Sequence, residues 1–259
     1  MPIKDDMKET VAEFYADLAP FYHLIYPDWE QSIERQASML DGIIRANWGD
    51  KVSEVLDAAC GIGTQSLGLA KLGYQVTASD LSPHEVERAK HEADGRGLSI
   101  KFSIADIRTA FDQHATQFEL VIACDNAVPH LLSDADILRA FEQFYACLRP
   151  GGGCIITVRD YEAEEMTGQN IKLYGSREED GITYLIFQKW DCHGELYDLS
   201  MYFVEDDGGS DIKTHIMQTQ YYAIGTTRLI ELMTNAGFED VTRLDGKFFQ
   251  PVIIGTRPS

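Results

Sequence analysis

Positive charge is scarce in this chain. Twenty-two lysines and arginines stand against 42 aspartates and glutamates, a formal net charge of −20 over 259 residues. A polyanion meeting such a surface is repelled at long range and gains nothing from counterion release, so nucleic acid is disfavoured as a partner. Cysteine is sparse as well: Cys60, Cys124, Cys147, Cys154 and Cys192 are odd in number and form no C-x-x-C pair. That argues against a disulfide framework or a zinc site and for a reducing, cytoplasmic setting. The seven histidines include no H-E-x-x-H or similar helical pair, so no metal is expected. No apolar run approaches the length of a membrane span. The opening Met1 to Thr10 is polar and mixed in charge, unlike a signal or transit peptide. A soluble protein without a membrane partner is expected.

Against these absences, one stretch stands out. Val55-Leu56-Asp57-Ala58-Ala59-Cys60-Gly61-Ile62-Gly63-Thr64 reads as a strand, a small-residue turn and a helix start. This is where an open α/β sheet binds a nucleoside. A second apolar run ends at Asp80, and a carboxylate at that strand tip can accept from both hydroxyls of a ribose. A third loop glycine is missing. Its place in the G-x-G-x-x-G dinucleotide pattern is taken by Ser66, and Asp57 at the loop mouth would repel a pyrophosphate. An adenosyl ligand with a cationic tail and no phosphate fits better, and S-adenosylmethionine has those parts.

The order of elements sets the fold class. Helical patterns are expected over 7–18 and 29–46, with an aromatic cluster between them (Phe14, Tyr15, Phe21, Tyr22, Tyr26, Trp29). Strands at 52–58, 74–80, 99–105, 118–124 and 153–160 then alternate with helices at 64–72, 83–96 and 133–148. Ser82-Pro83 is an N-cap followed by proline at the first helical position, and Arg149-Pro150-Gly151-Gly152 reads as the turn into the fifth strand. Such alternation predicts a doubly wound, mostly parallel sheet. From 181 to 223 the pattern becomes strand-like without helices, an expected antiparallel insertion. A helix at 226–236 and strands at 240–245 and 251–256 close the chain. One domain is expected: a helical lid (1–48), a cofactor-binding core (49–160), the insertion (161–225), and a last helix with a β-hairpin (226–259).

The Asp57-to-Thr64 loop, Asp80, Ala105-Asp106-Ile107, Leu148-Arg149-Pro150-Gly151-Gly152 and Ala236-Gly237-Phe238 together resemble the class I S-adenosylmethionine-dependent methyltransferases. That resemblance implies a seven-stranded sheet whose final strand is antiparallel. It also implies that Asp57 and the backbone at Ala59, Gly61 and Gly63 line the methionine end of the cofactor. Asp80 would take the ribose, Leu81 and Ile107 the adenine faces, Asp106 the adenine amino group, and Tyr22 and Cys124 further cofactor contacts. Gln31, Ser32 and Arg35 lie near the place where related enzymes put an arginine for the methionine carboxylate, without a clean match.

Cys124-Asp125-Asn126-Ala127-Val128-Pro129-His130-Leu131 and Val158-Arg159-Asp160-Tyr161 carry a further likeness, to glycine and glycine/sarcosine N-methyltransferases. It implies that Arg159 grips the carboxylate of an amino-acid acceptor, that Asn126 positions the acceptor, and that His130 is a candidate proton acceptor. Asp125 stands where those enzymes have glycine, and Pro129 intrudes before the histidine. Tyr26, Trp29 and Tyr221 are further candidate acceptor contacts, since aromatic faces attract cations. Of Tyr221 and Tyr222 only one can face inward. The ordinary alternatives are a surface pairing for Arg159, a turn role for Asn126, packing for His130, and solvated strand-end acids at Asp125 and Asp160. The expected activity is methylation of a small molecule at nitrogen, with an amino-acid-like acceptor leading. A heterocyclic or phenolic secondary metabolite is the alternative, methylated at nitrogen or oxygen. The residues leave the acceptor, the number of methyl transfers and any homo-oligomer open.

Overall fold

The computed structural model describes residues 10–259. Its centre is a seven-stranded sheet in the order β10-β11-β5-β4-β1-β2-β3, built from β1 (Glu54–Asp57), β2 (Gln75–Asp80), β3 (Lys101–Ile104), β4 (Phe118–Ala123), β5 (Leu148–Thr157), β10 (Glu239–Leu244) and β11 (Val252–Thr256). The first five strands run parallel, and β11 lies antiparallel between β5 and β10. The central strands are apolar on both faces because helices cover both. Leu56, Val121, Ile156 and Ile253 face a cluster with α6 (Asp134–Ala146) and α7 (Thr226–Asn235), while Val55, Leu120, Ile122 and Ile155 face α2 (Trp29–Trp48) and α3 (Thr64–Lys71). Chain order reverses between β1 and β4, which opens a crevice at the carboxyl ends of the parallel strands.

A second sheet, β6-β7-β8-β9, is wholly antiparallel (Gln169–Glu179, Ile182–His193, Leu196–Asp206, Lys213–Tyr222). Its inner face carries Ile186, Trp190, Tyr197, Leu199, Met201, Phe203, Met217 and Tyr221, packed against Phe14 and Leu18 of α1 (Val11–Leu18) and against Leu24. This sheet and α1 roof the crevice. Thr10 opens α1 through a reciprocal capping box with Glu13; residues 7–9 of the expected first helix lie outside the described residues.

The structure corrects three local readings. Arg149 to Gly152 belong to β5, which begins at Leu148 and absorbs them as an irregularity in its pairing with β4. A Cβ on Gly153 would fall 2.1 Å from Trp48 Cε2, so this glycine serves close packing of α2 on the sheet. Strand β6 was not expected: it is a half-exposed edge rich in charge and lacks a clear apolar period. The short helix α5 (Ala110–His114) also escaped, because five residues give no periodic signal.

Candidate active site

The β1–α3 turn forms the floor of the site. Gly61 and Gly63 sit at φ of +52° and +94°, a region that side chains other than glycine rarely adopt. Gly61 N–H donates to Asp80 Oδ2 at 2.9 Å, and Ser82 N–H donates to Asp80 Oδ1 at 2.9 Å, which fixes that carboxylate at the tip of β2. A side chain on Gly61 would press on Glu85 Oε2 and be strained at its positive φ, so the backbone there stays bare. Above it lies a cavity of about 320 Å³. Ala59, Cys60, Gly61, Asp80, Leu81, Asp106, Ile107 and Cys124 line it, with Tyr22, Tyr26 and Tyr15 closing from the N-terminal segment. Of the expected cofactor residues, Asp57 and Gly63 do not reach its surface. Gly63 caps α3, and its carbonyl accepts from Leu67 N–H at 2.8 Å.

Asp57 lies wholly buried behind this floor. Burial lifts its carboxyl to about 7, although Ser66 Oγ donates to its Oδ2 at 2.6 Å. Ser66, read from sequence as the missing third glycine, therefore anchors the loop acid. Burial also raises Asp80 and, more strongly, Glu85. Among the described residues none of these three acids has a lysine or arginine partner. Among the described residues Glu85 Oε1 has no hydrogen-bond partner, and Asp57 has beside Ser66 only a weak contact from the Ala59 backbone. Of these acids Asp80 and Glu85 line the cavity, and a carboxyl that burial keeps from ionising is stabilised in its charged form by a bound cation, so the site suits a ligand carrying sulfonium and ammonium charges better than a pyrophosphate. The residues present thus fit S-adenosylmethionine.

Asp106 differs. Burial raises it, but bonds from Arg108 outweigh burial and hold it below its ordinary range. Oδ1 accepts from Arg108 N and Nε, and Oδ2 accepts from Nε and Nη2 (2.6 Å). An adenine amino group reaching Asp106 has to share those oxygens. No arginine from α2 enters the cavity: Arg35 is exposed, Ser32 bonds back to Asp28 O, and Gln36 is buried against Gln65.

A second cavity of similar size adjoins the first through Tyr15, Tyr22, Tyr26 and Asp125, which line both. Arg159, at the end of β5, enters it. Nη1 donates to Tyr197 Oη at 3.2 Å and Nη2 to Tyr174 Oη at 3.4 Å, and the guanidinium lies over the rings of Trp190 (5.1 Å) and Tyr221 (5.9 Å). It makes no ion pair with an acid among the described residues, so the expected alternative of a surface pairing does not describe it. Asn126 and Tyr221 line the same cavity. Tyr221 faces inward, parallel to Tyr197 at 5.4 Å, whereas Tyr222 turns to Asp134 at 3.0 Å. His130 lines the first cavity, bonds Tyr15 Oη through Nε2 at 2.8 Å and packs on Tyr221 at 4.0 Å. Burial takes its pKa down to about 3, so the ring is neutral at physiological pH.

Trp29 lines none of these cavities. Its Nε1 donates to Thr64 Oγ1 at 2.9 Å, and Arg88 and Arg96 cover its ring. It braces α2 against α3. Asp160 pairs with Arg243 at 2.6 Å. Asp125 is not a solvated acid but lies between the two cavities, held by Tyr26 and Gln250. Tyr15, Glu85, Tyr174, Tyr197 and Gln250 were not singled out as site residues. Tyr174, Tyr197 and Gln250 come from the second sheet and the β10–β11 connection, remote in sequence and without a motif. Glu85 lies in the first turn of α4 (Pro83–Gly95), third residue after the Ser82 cap, an ordinary place for an acid.

Comparison with known proteins agrees with this geometry. A family model described as a methyltransferase domain matches residues 55–152. The glycine/sarcosine N-methyltransferase of Parasynechococcus marenigrum is 31% identical over 135 residues, covering 52% of this chain and 47% of that protein. The ubiquinone biosynthesis O-methyltransferase of Methylocella silvestris is 34% identical over 116 residues, covering 44% and 43%. The chain thus spans less than half the length of these two curated relatives. In fold it is similar to SAM-bound CalS10, an amino pentose methyltransferase from Micromonospora echinaspora, with a TM-score of 0.77 at 20% identity over 98% of this chain and 100% of that one. The stretch 55–152 thus matches a methyltransferase domain, and the sheet order and the acid-lined cavity fit that match.

Proposed function

We propose that this protein methylates an amine nitrogen on a small acceptor that also carries a carboxylate, an amino-acid-like molecule of the glycine or sarcosine type. One observation carries the reading: a guanidinium, Arg159, projects into the cavity beside the cofactor floor with neutral hydroxyls and ring faces around it and no acid in contact with it among the described residues. A buried cation with no acid in contact is costly unless a ligand supplies the anion. Arginine's fork matches a carboxylate in two parallel hydrogen bonds. The cavity, about 320 Å³, has room for more than glycine, so acceptors with a side chain belong in the tested set.

When bound, S-adenosylmethionine supplies a methyl carbon on a good leaving group. The residues of this chain hold the nucleophile in line and keep water out. Orientation alone can account for roughly 7–11 kcal/mol of barrier, so no triad or metal is invoked. The cavity wall of Phe14, Tyr15, Tyr22, Tyr26 and Tyr221 excludes water from one side. Asp80 and the loop backbone bind the nucleoside, and the neutral His130 ring orients Tyr15. A cytoplasmic setting accords with five free cysteines, four of them buried, and among the described residues no helix is long and apolar enough to cross a membrane.

Turnover of labelled cofactor against amino acids, N-methyl amino acids, heterocycles and phenols tests the reading. Methyl incorporation into an amino acid, abolished by Arg159→Ala, supports it. The same aromatic wall favours a second reading, a flat heterocyclic or phenolic acceptor. Activity on such compounds alone, indifferent to Arg159, would replace the first reading with the second.

A further inference from the structure

Asp125 is an unusual residue to find where it is. It stands two residues past the end of β4, at φ +54°, and Asn126 after it sits at +69°. Two consecutive residues other than glycine in the left-handed region make a tight corner, tolerated best by Asp and Asn. The corner is pinned from below. Asp125 N–H donates to Thr157 Oγ1 at 2.7 Å, Thr157 Oγ1 donates to Gln250 Oε1 at 2.9 Å, and Gln250 Nε2 donates to Asp125 Oδ1 at 3.0 Å. From the other side Tyr26 Oη donates to Oδ2 at 2.8 Å. This ladder holds the carboxylate at the junction of the two cavities, lining both.

The carboxylate still has accepting capacity. Each oxygen takes one of these donors, and an ionised carboxylate offers about four acceptor sites. No lysine or arginine forms an ion pair with it among the described residues. Arg159 acts on it from the same cavity without touching it. An anion at the cofactor end and a cation further in form a dipole, and an α-amino acid is the complementary dipole.

Resting on the amino-acid reading above, we propose that Asp125 receives the acceptor's amine while Arg159 holds its carboxylate. The pair orients the nitrogen toward the cofactor cavity and selects amines over hydroxyl analogues. The phenol of Tyr26 couples that contact to the helical segment over the site.

Calorimetric titration in the presence of S-adenosylhomocysteine tests this, using pairs that differ only in the group at Cα: glycine and glycolate, alanine and lactate, phenylalanine and phenyllactate. The wild-type protein should prefer the amine member by about ten- to hundredfold. Asp125→Asn keeps a residue suited to the corner, and Asp125→Gly restores full backbone freedom. Both should bring the two members within about threefold of each other while S-adenosylhomocysteine affinity holds, which also reports that the variants fold. An amine preference that survives both substitutions, or a wild-type protein that binds both members equally, overturns the role of Asp125 and leaves the carboxylate clamp standing. If no member of any pair binds the wild-type protein, the amino-acid reading fails, and the role of Asp125 fails with it.

Discussion

The backbone N–H of Arg159 donates to the side-chain oxygen of Asn126 at 3.0 Å. The Asn126 amide nitrogen in turn donates to Tyr161 Oη at 2.8 Å, and the side chain is buried. Although Asn126 borders the second cavity, its polar atoms are committed to the protein. It fixes the point at which β5 releases Arg159, which gives the asparagine a positioning role. Replacing Asn126 with Leu strands the buried Arg159 N–H, takes one partner from the Tyr161 phenol, which keeps Tyr197, and puts a side chain unsuited to φ +69° at this corner. The cost is about 1–3 kcal/mol, or a melting temperature lower by roughly 2–4 °C per kcal/mol for a chain of this size. Thermal denaturation of Asn126→Leu beside wild type checks this, and an unchanged midpoint would show the bond to be dispensable.

Arg159 itself should separate acceptor binding from cofactor binding. Arg159→Ala is expected to weaken a carboxylate-bearing acceptor by about ten- to hundredfold, the worth of one or two charge-assisted hydrogen bonds. Arg159→Lys should recover little. A lysine cannot bond Tyr197 and Tyr174 together while lying flat over Trp190. Affinity for S-adenosylhomocysteine should stay within about twofold in both variants. Titrations with the two ligands decide it: a parallel loss of both affinities points to structural damage rather than a clamp.

The parts of the fold that repeat a local rule could be read before any coordinates. Alternating runs such as 52–58 and 64–72 carry their own period, and the loop with Gly61, Gly63 and Asp80 lies within about 30 residues of chain. Of the second cavity, Arg159, Asn126, Tyr26 and Tyr221 could be named from motif or aromatic cluster, whereas the rest of its surroundings come from far apart: Tyr15 from α1, Tyr174 and Tyr197 from the second sheet, Gln250 from the β10–β11 connection. No local pattern links those residues. Trp29 shows the converse. An aromatic among aromatics reads as a pocket residue, yet its fate was decided by Thr64 and two arginines packed over its ring. Asp125 was misjudged because strand-end acids are usually solvated, and only the roof formed by α1 and the second sheet buries this one.

The buried Asp57 makes stability depend on pH in a predictable sense. Its carboxyl titrates at about 7 in the folded protein against an ordinary value of 3.8, chiefly because burial disfavours the charge. The folded state therefore holds a proton that the unfolded state has already lost between those two values, so this group's contribution to stability falls as pH rises from about 4 to 7 and then levels off. The full swing is on the order of 4 kcal/mol. Asp57→Asn keeps an acceptor for Ser66 and removes the titration. Urea unfolding at pH 5 and pH 8 should show the variant losing less stability across that interval than wild type. Equal losses would mean that Asp57 is already ionised at pH 5.

Asp80 and Asp106 should contribute unequally to cofactor binding, although both are acids at strand ends facing one cavity. Asp80 accepts from two backbone N–H groups and has no cationic neighbour, so its oxygens retain capacity for a ribose. Its loss also releases Gly61, whose backbone forms the floor. Asp106 is saturated by Arg108, four contacts on two oxygens. A ligand donor there gains only what it takes from the arginine. Asp80→Ala is therefore expected to weaken S-adenosylhomocysteine by about ten- to hundredfold, and Asp106→Asn by less than about tenfold. Titration of the two variants under identical conditions measures the difference. The reverse order would place the ribose away from β2 and require the nucleoside to be turned around in its cavity.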